Sequence, residues 1–474
     1  MVLKFIDRAA ELDVLSRAYS ENGAQFFIVY GRRRVGKTEL VLHFARERPH
    51  LYFLAREANL ELERERFREK LAARFNIHMG KGDWEGIFAE LAAKVPGRVL
   101  VVIDEFTNWV SRDRGIVSEF QAVWDGALKD SEVFLVLLGS YIGLMETAVL
   151  DYKSPLYGRR TGQMAVEPMP IPVLPEFFPR YAVRDIVNVF GCLDTIPYYL
   201  AQFRPEKDLW KNIRSTFLEK SHPLFNDAEI LLGYELREPD TYLNILRSIQ
   251  EGARKLNEIA DQARVDVTNM PKYLNRLGKL RMVRKVRPVT SVKEKAGLYE
   301  LEDNYFRFWL KFVYPYREEI GETPDSHLDF VRSSYAGYMG PVFEDFCRAL
   351  VRLSRPGDFH RLGRWWYGGE EIDIVGLNEK DGRILLAECK WQDGVNAAAV
   401  HEALRGKAGE VRWRNRDRKE SYAIFARSFK KRIDIEGLEL FDLKDIAGLL
   451  DAAGPTSGRH AGTAHKTARR APAR

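Results

Sequence analysis

The chain has 474 residues, 45% of them apolar and 30% charged. That is material for about three packed domains, and it excludes a disordered chain. Three scattered cysteines (Cys192, Cys347, Cys389) exclude a disulfide scaffold and a CxxC zinc site, and the net charge of +6 sits largely in an acid-free tail, so overall charge by itself argues for no nucleic-acid partner.

In chain order, apolar strands are predicted at Phe26–Tyr30, Leu51–Leu54, Val99–Ile103, Val133–Leu138 and Met164–Val166, with helical stretches between them. This is an α/β pattern with a mainly parallel sheet covered on both faces. A proline cluster (Pro168, Pro170, Pro172, Pro175, Pro179) closes it, giving a first unit over 1–175. A helical lid is predicted over 176–239, helices and a hairpin over 240–317, and a polar linker from Glu318 to Ser326. A unit with its own core follows over 328–451, with strands near Ile372–Leu377 and Ile384–Glu388. The last segment, 452–474, reads as a disordered basic tail carrying Arg459, Lys466, Arg469, Arg470 and Arg474. No run of about 18 apolar residues marks a membrane span. The start (Met1 to Leu12) carries Lys4, Asp7, Arg8 and Glu11 and is not expected to be a signal peptide. A cytoplasmic protein is expected.

Gly31-Arg32-Arg33-Arg34-Val35-Gly36-Lys37-Thr38 matches G-x-x-x-x-G-K-[ST], between a strand and a helical run. Such a loop wraps phosphates with backbone N–H groups, aided by the helix N-terminus. Lys37 is expected to reach the β- and γ-phosphates of ATP, and the Thr38 hydroxyl to bind Mg²⁺. A second apolar strand ends in Asp104-Glu105. Asp104 is expected to hold Mg²⁺ through water, and Glu105 to polarise the attacking water as general base. The fourth strand ends in Gly139-Ser140, where Ser140 is placed to sense the γ-phosphate.

With the segment Leu156-Tyr157-Gly158-Arg159-Arg160-Thr161-Gly162 and the opening Phe5-Ile6-Asp7-Arg8-Ala9-Ala10-Glu11-Leu12, these motifs resemble the archaeal ATPase family, one of the AAA+-related signal-transduction ATPases. The resemblance implies a sheet of order 5-1-4-3-2 and an adenine site near the opening segment. It also implies that Arg159, or else Arg160, is a nucleotide-sensing or finger-type arginine, acting in cis or, within a homo-oligomer, in trans. The family's Gly-Gly-x-Pro-x-Tyr-like element corresponds to Gly191–Tyr199, with Thr195 where a glycine is expected.

In the middle unit, apolar faces at Leu243/Leu246/Ile249, Leu256/Ile259/Ala260 and Leu274/Leu277 predict three helices. With the hairpin they read as a winged helix-turn-helix. Its third helix offers Lys272, Asn275, Arg276 and Lys279, and its wing Arg281, Arg284, Lys285, Arg287, Lys293 and Lys295. These cations suit contact with DNA or RNA phosphates; a packing or relay module is the alternative. Tyr305-Phe306-Arg307-Phe308-Trp309 reads as core.

In the last unit, Asp373 and the Glu388-x-Lys390 pair lie on adjacent strands, and an upstream helix offers Glu344. Converging carboxylates make an oxygen site for Mg²⁺, with Lys390 to orient water or steady charge. This resembles the PD-(D/E)XK nuclease superfamily and the domain of unknown function appended to archaeal ATPases. Two functions follow. One is an ATP-gated enzyme cutting nucleic acid. The other is a regulatory ATP switch whose C-terminal domain binds nucleic acid or protein without cleavage.

Overall fold

The computed structural model describes residues 5–291 and 297–454. The wing cations Lys293 and Lys295, and the tail from Pro455 on, lie outside the described residues.

The first unit is a five-stranded parallel sheet of β1 (Gln25–Tyr30), β2 (His50–Leu54), β3 (Val99–Asp104), β4 (Val133–Gly139) and β5 (Gly162–Ala165), in the order β2-β3-β4-β1-β5. Read from the other edge, this is 5-1-4-3-2. The inner strands are continuous apolar runs because both faces are covered. Phe27, Val29, Val102, Val136 and Leu138 face the helices Ala9–Ser20 and Lys37–Ala45, whereas Phe26, Ile28, Ile103, Leu135 and Leu137 face an aromatic-rich layer built around Trp84, Trp109 and Phe120. Tyr30 is in register with Gly139, so the C-terminal ends of β1 and β4 lie side by side, with β3 next to β4.

Helices Val183–Leu193, Leu209–Phe217 and Asp227–Glu235 follow, then Pro239–Gln250, Leu256–Ala263 and Met270–Lys279, and an antiparallel pair, β6 (Val283–Val286) and β7 (Leu298–Leu301). The aromatic run folds as helix Asn304–Phe312, with Tyr305, Phe306, Phe308, Trp309 and Phe312 buried. The stretch expected as a linker is helical instead: Arg317–Glu322 buries Ile320, and a 31-residue helix, Pro324–Ser354, starts with Pro324 in its first turn. There the missing proline N–H leaves no intrahelical bond unmade.

The C-terminal sheet has five strands where the sequence suggested two. They are β8 (Arg361–Tyr367), β9 (Glu370–Asn378), β10 (Arg383–Lys390), β12 (Lys419–Ala426) and β14 (Leu438–Phe441); Val395–Asn396 (β11) pairs separately with Phe429–Lys431 (β13). β8, β9 and β10 run antiparallel, and β12 and β14 continue parallel to β10. One face packs with Trp365, Ile372 and Leu404 in a core of its own. The other face, with Ile374, Leu385 and Phe425, joins an apolar cluster that runs back to Ile171. The expectation of a self-contained core therefore holds for one face of the sheet only.

Candidate active site

The site lies where β1, β3 and β4 end, the usual ligand edge of a parallel sheet. The chain turns at Gly31, where a Cβ would overlap the carbonyl oxygen of Val166; no larger residue fits this approach. Lys37 opens the next helix, and its Nζ donates to the carbonyl oxygens of Gly31 and Arg32, both at 2.9 Å. Burial lowers its pKa to about 8, against the opposing fields of Glu105 and Asp104. Thr38 Oγ1 donates to Asp104 Oδ2 at 2.6 Å, and Tyr52 OH donates to the same oxygen at 2.9 Å. Burial, then the Asp104 charge, raises the Tyr52 phenol above its ordinary range. Ser140 Oγ donates to Glu105 Oε1 at 2.6 Å, and Glu105 Oε2 is buried with no hydrogen-bond partner. Glu105 itself has φ +52°, a left-handed conformation uncommon outside glycine. The structure thus brings Lys37, Thr38, Asp104, Glu105 and Ser140 together.

Magnesium usually takes one or two protein oxygens and fills its shell with phosphate and water. A threonine hydroxyl beside a buried carboxylate fits that demand.

The loop side chains do other work. Arg32 is buried and pairs with Asp303 at 2.6 Å. Arg33 Nε donates to Glu235 Oε1 at 3.1 Å. Arg34 pairs with Asp227, lies over the Tyr198 ring and donates to Tyr199 OH at 3.2 Å. Arg33 Nη1 also lies 4.0 Å from Glu105 Oε1, at the edge of the site. The Tyr198 N–H reaches the Arg34 carbonyl at 3.4 Å, so the Gly191–Tyr199 element rests on the loop. Sequence reasoning missed two supports. Tyr52 is a lone hydroxyl in an apolar strand, which was the available signal. Arg8 is buried and donates to the carbonyl oxygens of Val35 and Glu167, both at 2.8 Å, contacts with no local signal.

Arg159 is not brought to the site. Thr161 bonds to the Phe26 carbonyl, which puts the preceding residues beside the start of β1. The phosphate loop lies at the strand's other end, roughly 15 Å away at the rise of a strand. Arg159 makes a two-pronged pair with Asp125 at 2.8–2.9 Å, and Arg160 donates to the Leu150 carbonyl. In this arrangement Arg159 is held by Asp125, away from the phosphate loop.

The cations of the middle unit are partly engaged as well. Arg276 lies 4.5 Å from the Tyr141 ring centroid, directly after Ser140, and Lys279 pairs with Glu146. A Cβ on Gly143 would overlap the Arg276 guanidinium. Arg281 pairs with Glu167 at 2.8 Å, and Arg284 with Asp345 at 2.6 Å and Glu300 at 3.1 Å. The third helix therefore turns Arg276 and Lys279 to the first unit, as Arg281 does just beyond it, whereas Arg284 turns to β7 and the long helix. Lys272, Asn275, Lys285 and Arg287 stay exposed.

In the C-terminal unit Glu344, Asp373, Glu388 and Lys390 gather, but each carboxylate has its own donor. Asp373 Oδ2 accepts from the Cys389 N–H at 2.8 Å. Glu388 accepts from Lys390 at 2.7 Å and from Lys407 at 2.8 Å. Glu344 pairs with Arg364 at 3.3 Å. Burial and then Glu388 push Asp373 up to about 6, and burial and then Asp373 push Glu344 up to about 8. Among the described residues no group of three or more His, Cys, Asp or Glu side chains is disposed to hold a metal. The carboxylates expected to converge on a metal are brought near one another, each held by a donor of this chain. Lys407 and Arg364, unmarked by any motif, complete this cluster.

Strand, phosphate loop, helix and a paired Asp-Glu at the end of the next strand but one define a P-loop ATPase. Residues 5–203 match the family model described as an ATPase domain predominantly from Archaea, and residues 309–424 match one described as "Archaea bacterial proteins of unknown function". The chain is 33% identical over 451 residues to the uncharacterized protein MJECL04 of Methanocaldococcus jannaschii, covering 94% of this chain and 100% of that one. Over 43 residues (9% of this chain, 73% of the relative) it is 49% identical to the uncharacterized ATP-binding protein MJ0423 of the same organism. The Walker-type ATPase PABY2304 of Pyrococcus abyssi aligns over 65% of this chain and 96% of its own, with 21% identity and a TM-score of 0.47. The chain belongs to the archaeal ATPase family, with the unknown-function domain at its C-terminal end. No helix among the described residues is long and apolar enough to cross a membrane.

Proposed function

We propose that the chain is a Mg²⁺-dependent ATPase working as a switch, whose C-terminal unit binds nucleic acid or a protein partner without cutting it. The observation that carries this is the phosphate loop. Its backbone and Lys37 are left for phosphates, while Arg32, Arg33 and Arg34 hold Asp303, Glu235 and Asp227. A change in loop conformation on nucleotide exchange is thereby felt in the lid and the middle unit.

In this reading Lys37 exchanges its two carbonyl partners for β- and γ-phosphate oxygens. Thr38 and Asp104 would hold Mg²⁺, which supplies positive charge against the phosphates when bound. The free Oε2 of Glu105 takes the proton of the attacking water, and Ser140 fixes the other oxygen so that the carboxylate points one way. The middle unit acts as a winged-helix relay, because Arg276 meets Tyr141 beside Ser140.

The second reading, metal-dependent cleavage by Asp373, Glu388 and Lys390 with Glu344, is favoured by the gathering of these four side chains at the β9–β10 edge, where burial raises the Asp373 and Glu344 carboxyls. Labelled DNA and RNA, incubated with the full chain with and without ATP and Mg²⁺ or Mn²⁺, separate the two. Binding that responds to ATP while the strands stay intact supports the switch. Cleavage that Asp373→Ala abolishes, with ATP hydrolysis retained, supports the nuclease.

A further inference from the structure

A cavity of about 170 Å³ lies between the β6–β7 pair, helix Asn304–Phe312 and the long helix Pro324–Ser354. Its walls carry Arg254, Arg284, Arg307, Lys311 and Arg364, against two acids, Glu300 and Asp345. Glu300 is shared by Arg254 at 3.3 Å, Arg284 at 3.1 Å and Arg364 at 2.7 Å. Asp345 is shared by Arg284 at 2.6 Å, Arg307 at 3.4 Å and Arg348. Lys311 has no ion pair among the described residues. Arg284 Nε and Arg307 Nη1 are buried and have no acceptor.

Two carboxylates do not neutralise this set, and Arg364 is only partly offset by Glu344 and Glu371 outside the cavity. Unpaired guanidinium N–H groups away from water are costly. The ligand that suits this excess of positive charge is an anion with several acceptor oxygens, compact enough for the space and matched to guanidinium forks. We infer that this cavity binds a phosphate group, carried either as free inorganic phosphate or by a nucleic-acid strand. The inference does not depend on whether the C-terminal carboxylates cut. It assigns Arg284 and Arg307 to the floor, and Arg254 and Lys311 to the more exposed rim.

The test uses the full chain with its phosphate loop saturated by a non-hydrolysable ATP analogue and Mg²⁺, so that the loop cannot take the probe. Inorganic phosphate is titrated calorimetrically into the parent and into Arg254→Gln/Lys311→Gln, a rim variant whose unchanged Tm without phosphate shows that it folds. The expected result is binding by the parent and at least tenfold weaker binding by the variant. A short single-stranded oligonucleotide is then added as competitor: displacement of phosphate identifies a strand as the source, and its absence identifies the free anion. No binding at millimolar phosphate, or equal binding by the two proteins, overturns the inference.

Discussion

Arg32 of the phosphate loop and Asp303, which caps helix Asn304–Phe312, form a buried ion pair at 2.6 Å across 271 positions of sequence. The same Asp303 accepts the Phe306 N–H through its other oxygen, at 3.1 Å. One carboxylate therefore ties the nucleotide loop to the helix that leads into the C-terminal half.

Asp303→Asn retains a capping residue but leaves the Arg32 charge buried and unpaired. Loss of one partner of a buried pair costs about 3–5 kcal/mol. Urea unfolding should show a loss of that size, whereas the surface change Asp13→Asn, in an exposed pair with Arg17, should stay below about 1 kcal/mol. A loss below about 1 kcal/mol for Asp303→Asn would show that the pair does not hold loop to helix.

Arg159 lies beside the start of β1, at the end away from the phosphate loop, so an effect on hydrolysis is expected to come from a neighbouring copy. Arg159→Ala should leave turnover of the dilute monomer unchanged. Under conditions where copies associate, it should lower turnover about tenfold, or about 1.4 kcal/mol. A concentration series of ATPase rate per chain reads this directly; a tenfold loss in the monomer contradicts the placement.

Asp345 carries a pH prediction. Burial alone would raise its pKa, but Arg284, Arg348 and Arg307 outweigh burial and hold it well below the usual carboxylate range. A depressed folded-state pKa contributes stability that is present above the unfolded value of about 3.9 and is lost as pH falls below it. Asp345→Asn should therefore be less stable than the parent by several kcal/mol at neutral pH. The deficit should stay constant down to about pH 5 and shrink below about pH 4. Paired urea unfolding curves across that range measure it, and a deficit that grows on acidification would contradict the assignment.

The phosphate loop, Asp104, Glu105 and Ser140 were legible in the sequence because each is a local event at a strand end. The strand order came with the resemblance and agrees with the observed sheet. The destinations of Arg32, Arg33 and Arg34 were not legible, because their partners lie some 190 to 270 positions away and charged residues carry no label for which acid they will meet. The edge strands β8 and β14, and the charged start of β12, escaped notice because exposed residues break their apolar alternation. The helix at Arg317–Glu322 was hidden by its polar surface, since only Ile320 turns inward.

The central claim is that Glu105 acts as the base at a competent ATP site, and one substitution tests it. Glu105→Gln keeps the side-chain shape and the Ser140 contact but cannot take a proton from water. ATP binding and single-turnover hydrolysis should be measured on the same preparation. The account predicts ATP affinity within a few-fold of the parent and hydrolysis slower by about 10²–10⁴-fold. Hydrolysis at the parent rate, with ATP bound, would contradict it.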